Sequence, residues 1–227
     1  MSTLEIKRFS QNDDDFEAQV CLLTAPIEAL DPNLVSSVRD IIAEVRLGGD
    51  QALLQFTQRF DHHPATSVSE LVFDSDTLKD FESQITAPER AAITEAAQRI
   101  RRYHKEQISP DWSITDEHGS QLGQRVRPMQ RVGLYVPGGK ARYPSSVLMN
   151  TIPAKVAGVA EVVMVAPTPL GQVNPVVLAA ASLAGVDQVV TVGGAQAVAA
   201  LAYGTESIRA VDKIVGPGNR YVAEAKR

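Results

Sequence analysis

The chain has 227 residues, 44% of them hydrophobic and 22% charged, with a net charge of −5. These values fit one large or two modest packed domains and exclude a disordered or coiled-coil chain. No run approaches the ~18 apolar residues of a membrane span and the opening MSTLEIKRFSQNDDD has no apolar core with a cleavage site, so neither membrane insertion nor secretion is expected. The single Cys21 fits a reducing cytoplasm, and the acidic balance argues against a nucleic-acid partner.

Composition then divides the chain. Residues 1–131 carry 14 Lys+Arg against 22 Asp+Glu, all six Phe and the only Trp, Trp112. Residues 132–227 carry 8 against 5 and are rich in Ala, Val and Gly. The shift predicts a mainly helical region over 1–131 and an α/β domain over 132–227.

In chain order, Asp31-Pro32 reads as an N-cap with Pro at the first helical position. NLVSSVRDIIAEVRL then runs at helical spacing to Gly48-Gly49, a predicted C-cap, and DQALLQFTQRF forms a second helix. TAPE at 86–89 has the form of a capping box opening a long helix, with Ile93, Ala96, Ala97, Ile100 and Tyr103 on one stripe. Residues 112–130 predict a small hairpin turning at Gly119.

From 132 onward strand and helix alternate. VGLYV leads through Pro137-Gly138-Gly139 to a helix from about Ser145 to Gly158. EVVMVA leads to Asn174-Pro175, another N-cap with Pro behind it, and a helix VVLAAASLAG. DQVVTV leads to Gly193-Gly194 and AQAVAALAYG; AVDKIV leads to Gly216-Pro217-Gly218-Asn219 and RYVAEAKR. The strands are apolar on both faces, as strands covered by helices on each side must be. The fold class is therefore α/β: a helical N-terminal region followed by a Rossmann-like parallel sheet with helices on both faces.

Three of the four strands end in glycine turns, PGG, GGAQ and GPGN. Ligands of open parallel sheets bind at the carboxyl edge. There glycine lets backbone come close, and the following helix offers unpaired N–H groups to an anion. Lys140 and Arg142 would add positive charge. Any one turn could use glycine for steric reasons alone; the three together point to a nucleotide. No G-x-G-x-x-G is present. Read from the residues alone, Tyr135 could pack beneath its loop, Gln196 could cap the helix after Gly194, and Asn219 is a natural N-cap.

The segments VGLYVPGG, SSVLMNTIPAKVAGV, VGGAQAVAALAYGTESI and VDKIVGPGNRYVAEAKR closely resemble those of the histidinol dehydrogenases, and IIAEVRLGGDQALLQFTQRFD extends the likeness into the helical region. That family oxidises L-histidinol to L-histidine through an aldehyde held on the enzyme, using NAD and zinc, as a cytoplasmic homodimer. The resemblance implies that Tyr135, Gln196 and Asn219 are NAD-contacting residues. It also implies that the zinc ligands, the proton-handling pair and the substrate-binding residues lie beyond this chain, which ends at Arg227, inside a helix that has just begun. No catalytic or metal-ligating residue is therefore assigned, and the chain is expected to be an N-terminal part, inactive by itself.

The remaining polar residues do not alter that expectation. His62 and His63 are adjacent before Pro64, His104 lies on a basic helix and His118 precedes a turn, so none has metal-ligand spacing. Cys21 has no base beside it and reads as an inert thiol. DDD at 13–15 and RIRRYHK at 99–105 read as solvated faces. The competing reading is a complete but catalytically silent nucleotide-binding or interaction module.

Overall fold

A computed structural model describes residues 8–24, 31–138 and 143–227. Lys140 and Arg142 lie outside the described residues. Contacts divide the chain into two units, Met1–Ser36 and Ser37–Arg227. The first contains helix α1 (Phe16–Thr24), and the second contains the sheet and the helices that cover it.

Helix α2 (Pro32–Asp61) begins as its N-cap signal predicts, with the Asp31 carboxylate accepting from Asn33 N–H at 2.9 Å. The expected break at Gly48-Gly49 is present within this span: Gly49 leaves helical geometry, at φ 51° and ψ −132°, and a second helical stretch follows it to Asp61. Val38, Ile41, Val45, Leu53 and Phe56 form its buried stripe. A short strand β1 (Val72–Asp74) leads into α3 (Ser75–Glu82), which Asp74 caps by accepting from Thr77 N–H at 2.8 Å. Neither element carries a sequence pattern long enough to predict it. α4 (Ala87–Lys105) opens on the predicted capping box of Thr86 and Glu89. The hairpin comprises β2 (Trp112–Thr115) and β3 (Gln121–Gln124), and every residue of both strands is exposed.

The alternating region follows as β4 (Arg131–Tyr135), α5 (Pro144–Val156), β5 (Glu161–Val165), α6 (Pro175–Ala184), β6 (Gln188–Val190), α7 (Gly194–Tyr203), β7 (Lys213–Val215) and α8 (Arg220–Ala225). Asn174 caps α6 by accepting from Val176 N–H at 3.1 Å, and Gly185 ends it in the left-handed conformation.

The strand order is β1-β6-β5-β4-β7. Pairs β4–β5, β4–β7 and β5–β6 are parallel, with Tyr135 opposite Val165 and Leu134 opposite Val215. The turns after β4, β5, β6 and β7 therefore share one edge. The sheet is not wholly parallel as expected: β1 joins β6 antiparallel, with Val72 opposite Val190. A three-residue strand from the helical region can do this because an edge strand needs only one partner.

Side-chain alternation sends each strand into two cores. Val132, Leu134, Val162 and Met164 pack with α3 to α6 on one face. Tyr135, Val163, Val165 and Val190 pack with α2, α7 and α8 on the other. The second face, where α2 meets the carboxyl edge, carries the cleft.

Candidate functional site

At that edge lies a cleft of about 740 Å³, floored by the ends of β4 and β6 and walled by α2. Tyr135, Gln196 and Asn219 all line it. The sheet brings them together because β4 and β7 are neighbours and α7 starts directly after β6.

Tyr135 is 3% exposed, and its phenol oxygen accepts from Gly194 N–H at 3.0 Å. This bond occupies one of the N–H groups that the start of α7 leaves without an intrahelical partner. Burial raises the phenol's pKa, and the Gly194 contact offsets the rise only in part. The Lys226 ammonium sits 5.9 Å from the ring centroid and donates to the Gly216 carbonyl; burial lowers its pKa.

Gln196 is 1% exposed, yet its Oε1 is buried with no hydrogen-bond partner. The helix-capping role open to it from sequence is not what its oxygen does. An unpaired buried amide oxygen costs about 1–3 kcal/mol unless something donates to it. Asn219 does cap α8, its Oδ1 accepting from Tyr221 N–H at 3.0 Å and Val222 N–H at 3.1 Å. The cap uses the amide oxygen, and the amide nitrogen is a donor.

The glycines divide by role. A Cβ on Gly138 would stand 2.5 Å from the Pro167 carbonyl oxygen, and one on Gly193 would stand 2.5 Å from the Pro167 Cβ. These two are small because the turns after β4 and β6 close around the turn after β5. Gly194 differs: its φ of +68° aims its N–H at Tyr135 while its Cβ position is filled by Gln196 Oε1, 2.5 Å away.

The sequence of the helical region points to no chemistry, but α2 supplies one wall. Asp40, Glu44, Phe56, Arg59 and Asp61 all face the cleft. Asp61 ends the helix with Oδ2 buried and unpaired; burial raises its pKa against the opposing pull of His63 and His62. The acidic residues fall on what periodicity marks as a solvated face, so only the break at RFDHHP hints at a site. Elsewhere, His63 Nδ1 accepts from Ala65 N–H at 3.1 Å, His104 Nδ1 contacts Gln107 Oε1 at 2.6 Å, and Cys21 is exposed. Among the described residues no three His, Cys, Asp or Glu side chains converge to hold a metal, and no helix is long and apolar enough to cross a membrane.

A family model described as histidinol dehydrogenase matches residues 27–227. The chain belongs to the histidinol dehydrogenase family. Histidinol dehydrogenase of Psychrobacter arcticus is 54% identical over 222 residues, covering 98% of this chain and 52% of that protein. The Pseudomonas aeruginosa histidinol dehydrogenase is 55% identical over 222 residues, 98% of this chain and 50% of its own length. A crystal structure of histidinol dehydrogenase from Elizabethkingia anophelis aligns with a TM-score of 0.83 at 32% identity, covering 92% of this chain and 48% of that one. The chain thus spans about half the length of the histidinol dehydrogenases it matches.

Proposed function

We propose that this chain is the NAD-side portion of a zinc- and NAD-dependent enzyme that oxidises L-histidinol to L-histidine through histidinal. On this reading residues 132–227 form the nucleotide-binding layer, and α2, from the region 1–131, forms the wall that closes over it. The observation that carries the reading is the convergence of Tyr135, Gln196 and Asn219 in one cleft at the carboxyl edge. Nothing in their sequence spacing required three residues on three different turns to meet.

The residues present fit the cofactor. The unpaired Oε1 of Gln196 is an acceptor waiting for an N–H or O–H donor, which a carboxamide or a ribose provides. Tyr135, tied to Gly194 at 3.0 Å, offers a fixed aromatic wall. Asn219 contributes amide hydrogens while its oxygen holds α8 in place. Bound NAD would supply the hydride acceptor for the carbinol carbon of histidinol. Burial of Tyr135 and Gln196 keeps bulk water from the floor of the cleft, where each polar contact is stronger than at the surface.

Zinc does not fit the described residues, since no donor set converges among them. We assign its ligands, and the groups that move protons, to the part of the relatives that this chain does not span, and no step is routed through them. The intact protein is on this reading a cytoplasmic homodimer.

The test is calorimetric titration of NAD into the chain and into Gln196→Ala. The chain is expected to bind NAD, and the variant to bind about tenfold more weakly, one lost buried hydrogen bond. Equal affinity in the two proteins would remove Gln196 from the site. A second assay, histidinol-dependent NADH formation with added zinc, is expected to show no turnover by this chain alone.

A further inference from the structure

We infer that Asp61 accepts hydrogen bonds from the hydroxyls of a cofactor ribose and so makes the cleft select an unmodified ribose over a 2′-phosphorylated one. This rests on the NAD-side reading above and asks what decides which dinucleotide the cleft accepts.

The sheet poses the question. The order β6-β5-β4-β7 is that of half a dinucleotide-binding sheet, with β4 first, β5 second, β6 third and β7 across the switch point. In such sheets a carboxylate following the second strand receives the ribose hydroxyls. Here the second strand, β5, is followed by Ala166-Pro167-Thr168-Pro169, with no carboxylate. Gly138 and Gly193 of the adjoining turns pack directly against Pro167. The usual acceptor is missing from its usual position.

The carboxylates of this cleft come from α2 instead. Asp40 and Glu44 are exposed and solvated, whereas Asp61 is only partly exposed and keeps Oδ2 buried without a hydrogen-bond partner. A carboxylate oxygen in that state is costly unless a donor reaches it. Gln196 is the second such acceptor in the same cleft, 1% exposed and also unpaired at Oε1. Two unpaired acceptors in one cleft are the complement of a vicinal diol, which brings two O–H donors. Asp61 and Tyr135 line the same cleft, and the Asp61 charge adds to the rise in the phenol's pKa that burial begins.

Charge sets the selectivity. A 2′-phosphate would bring up to two negative charges and no donor to the place where Asp61, Asp40 and Glu44 already gather. Arg59 is the single cationic side chain among the described cleft residues, and its guanidinium is stacked 5.3 Å from the Phe60 ring centroid.

The test titrates NAD and NADP into the chain, into Asp61→Asn and into Glu95→Gln, which removes the same charge from α4 on the opposite face of the sheet. The parent is expected to prefer NAD. In Asp61→Asn, NAD should bind about tenfold more weakly while NADP binds no worse, so that the ratio collapses. Glu95→Gln should retain the parent ratio. An unchanged ratio in Asp61→Asn, or a parent that binds NADP as tightly as NAD, overturns the inference while leaving NAD binding intact. Failure of the parent to bind either nucleotide overturns the NAD-side reading itself. Circular dichroism of Asp61→Asn matching the parent separates loss of binding from loss of fold.

Discussion

Gly216 is where the geometry of the cleft depends most on the absence of a side chain. It follows β7 at φ +115°, a conformation L-residues rarely adopt. A Cβ there would overlap the Tyr135 carbonyl oxygen and stand 3.0 Å and 3.1 Å from that residue's carbonyl carbon and nitrogen. These are backbone atoms at the end of a central strand and cannot swing aside. Gly216→Ala should therefore cost about 1–3 kcal/mol in backbone strain and about 1–3 kcal/mol more in displaced packing. A total near 4 kcal/mol is a large part of the ~5–15 kcal/mol that holds a domain folded. For a chain of this size it corresponds to a fall of roughly 10 °C in Tm. Gly119→Ala is the control, because Gly119 also has positive φ, +83°, but nothing lies within 4 Å of its Cβ position. That variant should lose about 1 kcal/mol or less. Thermal unfolding followed by circular dichroism measures both. Equal midpoints for the two variants would refute the claim that β7 is clamped against Tyr135.

Three further outcomes are expected. Asp61→Asn should be more stable than the parent at pH 7: the raised carboxyl pKa means that native-state stability is fully present below its ordinary 3.8 and is lost as pH rises through the raised value. The gain should vanish below pH 3.8, and urea titrations at both pH values show whether it does. Glu161→Ala removes the carboxylate paired with Arg131, a guanidinium only 7% exposed, and should cost about 3 kcal/mol in the same assay; a loss below about 1 kcal/mol would mean that the pair is effectively solvated. The β2–β3 hairpin, exposed along both strands with Trp112 at 53% exposure, should exchange its amide hydrogens orders of magnitude faster than β5. Comparable protection in the two would show a covering contact on the hairpin.

The legibility of the fold followed the strength of local signals. Caps are readable where a short polar side chain precedes Pro or stands three residues before Glu, as at Asn174 and Thr86, because the capping bond is made within one turn of the chain. The alternating strands are legible because both faces are apolar. β1 is not, since three residues carry no period, and its pairing with β6 bridges more than a hundred positions. Gly48-Gly49 has the composition of a helix end and Gly49 does leave helical geometry. What the sequence does not show is that the Asp50 N–H meets Glu206 Oε2 at 2.7 Å and the Ser207 hydroxyl meets Asp50 Oδ2 at 2.5 Å, contacts that hold the start of the second stretch.

The site is legible only on its sheet side. Tyr135, Gln196 and Asn219 stand out through the turns that carry them and through a family resemblance. The α2 wall escapes detection because Asp40, Glu44 and Asp61 look like any polar helix face until the helix is laid across the sheet edge. The glycines mislead for a related reason. Gly138 and Gly193 answer to Pro167, which is distant from both in sequence.

The most direct measurement is a crystal structure of the chain soaked with NAD. The dinucleotide should lie against Tyr135, within hydrogen-bond distance of Gln196 Oε1 and beside Asn219. NAD held elsewhere on the surface, with the Gln196 oxygen still unpaired, would contradict a cofactor cleft at the carboxyl edge.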